Sequence, residues 1–347
     1  MQIGKFPQIA TTAANVIQEA ELEVYMFSDL VEGVDPSDAL LSIGSVVSEL
    51  QRSYPDVSHS SLRFLEREGL ITAVRTPGGH RLYSPADVER IRQIKTWQAQ
   101  RLSLDQIRQR LTELDRLPTP AALTESFLSQ ALDGNLAAAY QTIIRADDLG
   151  LPLTRLFGEV LQPALTELGH RWERGELLVA QEKEVSELAR DLIADLSLRH
   201  AQISTHGPSL VAACVEGERH ELGLRMVCGL FRAEGWAVHY LGADVAPRFL
   251  LEAVQLHRPA VILLSAKLAL NLPAVKDAIE VLTAGLAPEH PPPIIVGGQI
   301  AVEQPEALQA WGAIPVTSAH PAAAVTAVTS LLEPSTAVIV SADKREN

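Results

Sequence analysis

The sequence predicts a multidomain chain of mixed class, helical through its first two thirds and α/β in its last third. Three observations point there. Apolar residues recur at helical spacing on both sides of a proline-containing break, Leu117-Pro118-Thr119-Pro120. After a second break, His206-Gly207-Pro208, short apolar runs alternate with helical stretches, the pattern of a parallel sheet with crossover helices. The length of 347 residues, 47% of them hydrophobic, supplies two or three packed cores.

Composition narrows the class. Two cysteines make no disulfide framework and point to a reducing compartment. No signal-peptide pattern is read, and no apolar run approaches the ~20 residues of a membrane span. A cytoplasmic protein without a membrane partner is expected. The net charge of −14 argues against a surface coated all over with nucleic-acid-binding charge. That charge is uneven, because residues 40–116 carry 12 Lys/Arg against 9 Asp/Glu, while the remainder carries 17 against 34. A local basic face can bind phosphates in an acidic protein, since salt screens charges beyond ~8–10 Å.

Residues 1–39 have one Lys and seven acids, and a short amphipathic helix over Thr11–Met26 is their one readable feature. Residues 40–116 read as a winged helix-turn-helix. Ser42–Gln51 places Ile43, Val46, Val47 and Leu50 on one face, and Ser53-Tyr54-Pro55-Asp56-Val57 turns the chain. Ser58 is a good N-cap for a second helix over His59–Glu68, which Gly69 is placed to end. Leu62, Phe64 and Leu65 anchor it, leaving His59, Ser60, Ser61, Arg63 and Arg67 outward, where such a helix can enter a major groove. Two extended runs around Pro77-Gly78-Gly79 form a hairpin whose Arg75, His80, Arg81 and Tyr83 are placed to clamp a phosphate backbone.

Residues 120–205 lack strand-like alternation and read as a bundle of four helices, with Gly134, Leu149–Pro152 and Gly175 between them. In residues 208–333, strands are expected at Ser209–Val215, Ala237–Leu241, Ala260–Ser265, Pro293–Val296 and Ile314–Val316. Five such strands suit a flavodoxin-like parallel sheet of order 2-1-3-4-5, whose ligand crevice lies at the carboxyl ends of the first and third strands. The loop with His220, Ser265 and Gly297-Gly298 all fall on that edge. Residues 334–347 form a tail, a last strand or loose chain.

Two resemblances add to this reading. Leu62-Arg63-Phe64-Leu65-Glu66-Arg67-Glu68-Gly69-Leu70, Arg75-Thr76, Gly79-His80-Arg81-Leu82-Tyr83-Ser84, Asp87-Val88 and Leu102-Ser103-Leu104-Asp105-Gln106-Ile107 resemble the MerR family of transcription regulators. The resemblance implies that the second helix and wing bind double-stranded operator DNA. MerR-like proteins usually dimerise through a long helix after this part. Pro118 and Pro120 cut that helix short, so a dimer or tetramer is expected to assemble through the C-terminal domains.

Glu218-x-His220-x-x-Gly223, followed after 41 residues by Ser265 and later by Gly297-Gly298, resembles the cobalamin-binding domain of corrinoid methyltransferases and mutases. The resemblance implies that His220 is the lower axial ligand of cobalt and that Glu218 holds its other ring nitrogen. It further implies that Gly223, Gly297 and Gly298 admit the nucleotide tail and that Ser265 donates to it. Lys267 departs from the pattern, which has an apolar residue there.

Trp172, nine residues, then Glu182 resembles the cap of cobalamin-dependent photoreceptor regulators of the CarH/LitR type, and the domain order agrees. In that type, adenosylcobalamin favours a DNA-bound tetramer in the dark, and light removes the adenosyl group. A His directly after the motif Trp can then ligate cobalt, and a second His follows the motif Glu. Here those positions are Glu173 and Lys183. Cobalamin bound by His220 without a two-histidine photoproduct is therefore expected. Sensing of another cobalamin form, a second tetrapyrrole such as a bilin, a cofactor-free regulator and a corrinoid methyltransferase subunit stay open as alternatives.

Overall fold

A computed structural model describes residues 40–332 apart from 52, 77, 203–206 and 287–290. The expected helix at Thr11–Met26, the tail, and the Arg52, Pro77 and His206 parts of the turns lie outside the described residues. The described chain divides into two compact units, up to Arg92 and from Gln93 onward.

In the first unit, β1 (Leu41–Ser42) leads into α1 (Ile43–Leu50), N-capped by the Ser42 hydroxyl, which accepts from Ser45 N at 3.2 Å. The second helix, α2 (His59–Arg67), starts at Ser58 in a reciprocal capping box with Ser61. It ends at Gly69, whose φ is +69°. Val46, Leu50, Val57, Leu62, Leu65 and Leu70 form the core. The wing is the hairpin β2 (Val74–Arg75) and β3 (Arg81–Tyr83), closed by Thr76 N donating to His80 O at 2.9 Å. With β1 it makes an antiparallel sheet of order β1-β3-β2. A helix, α3 (Pro85–Ala99), follows.

In the second unit, Arg101 in the left-handed conformation precedes α4 (Leu104–Leu114), capped by Ser103 and Gln106. Thr119 caps α5 (Pro120–Leu132), with Pro120 at the first helical position where it costs no hydrogen bond. The four-helix reading of residues 120–205 becomes α5, α6 (Leu136–Asp148), a composite helix and α9 (Val179–His200). The composite runs from α7 (Leu153–Arg155) through a π-helical turn at Leu156–Leu161 into α8 (Gln162–Glu173). Phe127, Ile143, Phe157, Leu168, Leu192 and Leu196 fill the bundle, and Met226 and Leu230 of the next domain join the same core.

That domain comprises β4 (Ser209–Val215), α10 (Leu222–Ala233), β5 (Ala237–Val245), α11 (Pro247–His257), β6 (Val261–Ser265), α12 (Leu272–Gly285) and β7 (Ile294–Gly297). It finishes with α13 (Gln299–Glu303), α14 (Pro305–Ala310), β8 (Ile314–Pro315) and α15 (Pro321–Leu332). The sheet is wholly parallel with order β5-β4-β6-β7-β8, which is the expected 2-1-3-4-5. β5 runs beyond the expected Leu241 because its pairing with β4 continues through two register shifts, one between Tyr240 and Gly242 and one between Gly242 and Val245. At Gly229 of α10 an added Cβ would collide with Ser197 and press on Phe157, so α9 and α10 pack backbone-close.

The wing is tied to α2 by one carboxylate. Glu66 accepts from Arg81 Nε at 2.5 Å and from Arg75 Nη2 at 3.0 Å. The Arg81 hydrogen bond in first place holds its carboxyl below the ordinary value. The folded state thus binds this proton more weakly than the unfolded chain. The resulting stability is complete above the ordinary carboxylate range and is lost as pH falls through the lowered value. Glu66→Gln is expected to destabilise the first unit by about 1–2 kcal/mol at neutral pH. Denaturant unfolding of both proteins should show the gap closing below about pH 4; a gap independent of pH would contradict the ion-pair account.

Candidate functional site

The carboxyl edge of the sheet brings distant residues level. Cys214 of β4 pairs with Ser265 of β6, and Ser265 pairs with Gly297 of β7. Past Cys214 the chain turns through Gly217, whose N–H donates to Asp244 Oδ1 at 2.7 Å. Asp244 N in turn donates to Glu218 O at 2.9 Å. The loop carrying His220 is therefore fastened to the end of β5.

Glu218 is wholly buried. Its Oε1 accepts from the His220 N–H at 2.7 Å and lies 2.6 Å from His220 Nδ1. Its Oε2 accepts from Lys267 N at 2.6 Å and from Asn271 Nδ2 at 2.9 Å. Burial pushes this carboxyl up, but the hydrogen bonds from His220, Lys267 and Asn271 outweigh it and hold it at about 2. An ionised carboxylate only accepts, so Nδ1 of His220 carries a proton, and in the neutral ring Nε2 is the nitrogen with the lone pair. The ring is 49% exposed, so Nε2 is available to a ligand at the sheet edge.

The surroundings fit a large ligand with a tail. A Cβ added at Gly223 or Gly297 would enter open space. Gly298 sits at φ +89°, and a Cβ there would strike the Ala266 carbonyl, so glycine is required for the close approach of two backbones. The Ser265 hydroxyl is half-buried, at the height of Gly297. Lys267, the departure from the family pattern, contributes its backbone N–H to Glu218 while its side chain is exposed. An imidazole nitrogen at this edge has the chemistry to bind a metal such as cobalt.

In the bundle, Trp172 lies in the last turn of α8 and is 47% exposed. Glu182, in the first turn of α9, accepts from the Ser186 hydroxyl at 2.7 Å and pairs with Lys183 at 3.1 Å.

In the first unit, His59, Ser60, Arg63 and Arg67 are exposed along α2, with Arg67 over the Phe64 ring at 5.7 Å. His80 is exposed at the wing. Ser61 corrects the expectation for this surface, because its hydroxyl accepts from Ser58 N and donates to Ser58 O at 2.9 Å, closing the helix cap. Tyr83 is a second correction. The alternation of β3 turns it into the core, where it is fully buried and its hydroxyl has no partner among the described residues. Arg75 and Arg81 are on the wing as expected but are engaged by Glu66.

Two residues that sequence reasoning missed hold this site. Asn271 reaches Glu218 from 53 positions away, and no local pattern announces that contact. Glu221, directly after His220, is 7% exposed and receives Tyr240 Oη at 2.5 Å. Its only sequence signal was an acid at a helix start.

Comparison with known proteins agrees with this geometry. Residues 47–114 match the MerR HTH family regulatory protein model, and residues 123–196 and 208–325 each match a B12 binding domain model. The chain is 31% identical over 257 residues to the HTH-type transcriptional repressor CarH of Myxococcus xanthus, spanning 68% of this chain and 82% of that protein. It is 30% identical over 266 residues to the repressor CarA of the same organism, spanning 74% and 88%. The monomethylamine corrinoid protein of Methanosarcina barkeri shares the fold over 60% of this chain and 99% of its own, with a TM-score of 0.52 at 19% identity. No helix among the described residues is long and apolar enough to cross a membrane. The chain belongs to the MerR-type regulators that carry a cobalamin-binding domain, and is a cobalamin-binding, DNA-binding regulator of transcription.

Proposed function

We propose that this protein is a cytoplasmic repressor in which adenosylcobalamin, held from below by His220, sets how the subunits assemble and so how firmly they hold an operator. The observation that carries this is the Glu218–His220 pair, since a buried carboxylate that occupies Nδ1 leaves Nε2 as the ring nitrogen facing the ligand edge. The named repressors among the relatives support the sign of regulation. Bound cobalamin would supply a cobalt ion able to accept an imidazole nitrogen and a light-sensitive cobalt–carbon bond. The chain's own residues orient that imidazole through Glu218, admit the tail past Gly223, Gly297 and Gly298, offer the Ser265 hydroxyl to it, and close the upper side with Trp172 and Glu182. Coupling to DNA is a population shift between assembly states that bind cobalamin unequally.

Operator contact is assigned to His59, Ser60, Arg63 and Arg67 of α2 and to His80 of the wing, with Arg75 and Arg81 joining when phosphate replaces Glu66. A reading without photochemistry, in which the protein senses another cobalamin form, is favoured by Glu173 and Lys183 standing where the relatives' type carries histidines. Neither a glutamate nor a lysine already paired with Glu182 replaces an imidazole on cobalt.

His220→Ala should abolish the effect of cobalamin on operator shift and subunit assembly, and Glu218→Gln should weaken cobalamin binding by about 10–100-fold. Titration of the colourless protein with hydroxocobalamin, followed by absorption, checks both, and unchanged uptake in His220→Ala would end the assignment. Gel shift and size measurement with adenosylcobalamin, before and after green light, should show the assembly changing without a stable two-histidine spectrum. Such a spectrum, lost in His170→Ala, would overturn that expectation. Arg63→Ala should weaken operator binding and lower the salt slope by about 1. Tyr83→Phe should leave operator binding unchanged, because its hydroxyl is buried; a large loss would show that the wing rearranges on DNA.

A further inference from the structure

We infer that Arg190 and Glu221 clamp the bundle helix α9 to the loop bearing His220, so that the seating of the bundle and the position of the imidazole are set together. The inference rests on His220 being the lower ligand. Glu221 is nearly excluded from solvent, and a buried carboxylate needs charged or hydrogen-bonding partners. They come from three elements. Arg190 of α9 forms an ion pair with its Oε1, and Tyr240 of β5 donates to its Oε2 at 2.5 Å. Arg225, one turn along α10, places Nε 3.2 Å from Oε1 while its guanidinium covers the Tyr240 ring at 4.9 Å. Among these only Arg190 belongs to the bundle.

The stretch Gly217–Glu221 is thus held at both ends by buried carboxylates that answer to different parts of the molecule. Glu218 answers to the sheet, through Lys267 N and Asn271. Glu221 answers to the bundle, through Arg190. Eight residues before Arg190, about 12 Å along the same helix, stands Glu182. A rigid helix therefore links the residue beside the lower ligand to the residue expected above the corrin. Attachment alone does not require this pair. Met226 and Leu230 already share the bundle core, and Gly229 lets α9 and α10 meet closely. An apolar pair would serve adhesion as well as a buried ion pair does, whereas an ion pair fixes register.

The test uses the full chain grown with histidine enriched in heavy nitrogen, loaded with hydroxocobalamin and reduced to cob(II)alamin. Paramagnetic resonance then separates protein imidazole from the cofactor's own base by the splitting of the axial nitrogen. The unsubstituted protein should show the heavy-nitrogen pattern. In Arg190→Met and in Glu221→Gln part of the signal should revert to the light-nitrogen or nitrogen-free pattern, with hydroxocobalamin binding weakened about tenfold. The double variant should be no worse than either single, and Arg190→Lys should restore most of the heavy-nitrogen signal. If either charge variant does not fold, Tyr240→Phe removes one hydrogen bond without loss of packing and should move the same fraction in the same direction. Unchanged patterns and affinities in the folded variants, or additive losses in the double, would overturn the clamp. A light-nitrogen pattern in the unsubstituted protein would instead overturn the His220 assignment.

Discussion

The structure of the ligand edge depends on a single buried charge. Glu218 has no contact with water, yet the groups around it hold its carboxyl at about 2, because its burial is outweighed by donors from His220, Lys267 and Asn271. Those donors come from the loops after two adjacent strands, β4 and β6, so the carboxylate draws the two loops into one assembly. The same charge decides the chemistry of the imidazole. With Nδ1 committed as a donor, the tautomer and ring orientation are fixed and the basic nitrogen is turned to the edge. A neutral glutamic acid here could donate to only one neighbour and would leave the backbone N–H of Lys267 or the amide of Asn271 underserved.

The sequence made the frame legible because the frame is periodic and local. Ser209–Val215 is a run of apolar residues buried on both faces, and such runs in alternation with helices imply a parallel sheet and therefore its ligand edge. The capping of α2 by Ser58 and its end at Gly69 are likewise local rules. What could not be read depends on contacts between distant positions. Asn271 and the N–H of Lys267 reach Glu218 across about fifty residues, and nothing in their neighbourhoods distinguishes them from ordinary loop residues. Ser61 was read as facing outward because a serine three residues after an N-cap can either point to solvent or complete the cap, and here its hydroxyl completes the cap. Tyr83 was misplaced because a hairpin fixes which residues alternate but not which face is covered by helices.

Charge on the DNA-binding unit is arranged rather than merely abundant. Glu66 engages Arg75 and Arg81 together, so one of the two guanidinium charges is offset within the fold and a net positive charge remains. Such exposed or partly exposed pairs hold weakly and exchange partners at low cost. On the proposed function, an operator phosphate would compete with Glu66 for these arginines, and the wing keeps its shape until it does. Arg63 and Arg67 are exposed on the surface of α2, so the segment's modest excess of basic residues is partly displayed on the helix proposed to enter the groove.

On the proposed function, Glu173 and Lys183 stand where the resembled pattern has histidines, and helix geometry shows that the nearby His170 does not take their place. His170 precedes Trp172 by two residues in α8, a rotation of roughly 200°, so the two side chains leave the helix in nearly opposite directions. Glu173 is exposed at the last position of α8, and Lys183 is exposed and paired with Glu182. An ammonium has no lone pair to give a metal. The bundle therefore offers an aromatic side chain at Trp172 and a carboxylate at Glu182, with no imidazole at positions 173 and 183. On the function proposed above, discrimination between cobalamin forms would then rest on shape and hydrogen bonding at the bundle, and coordination by the protein on His220 and the charges that hold it.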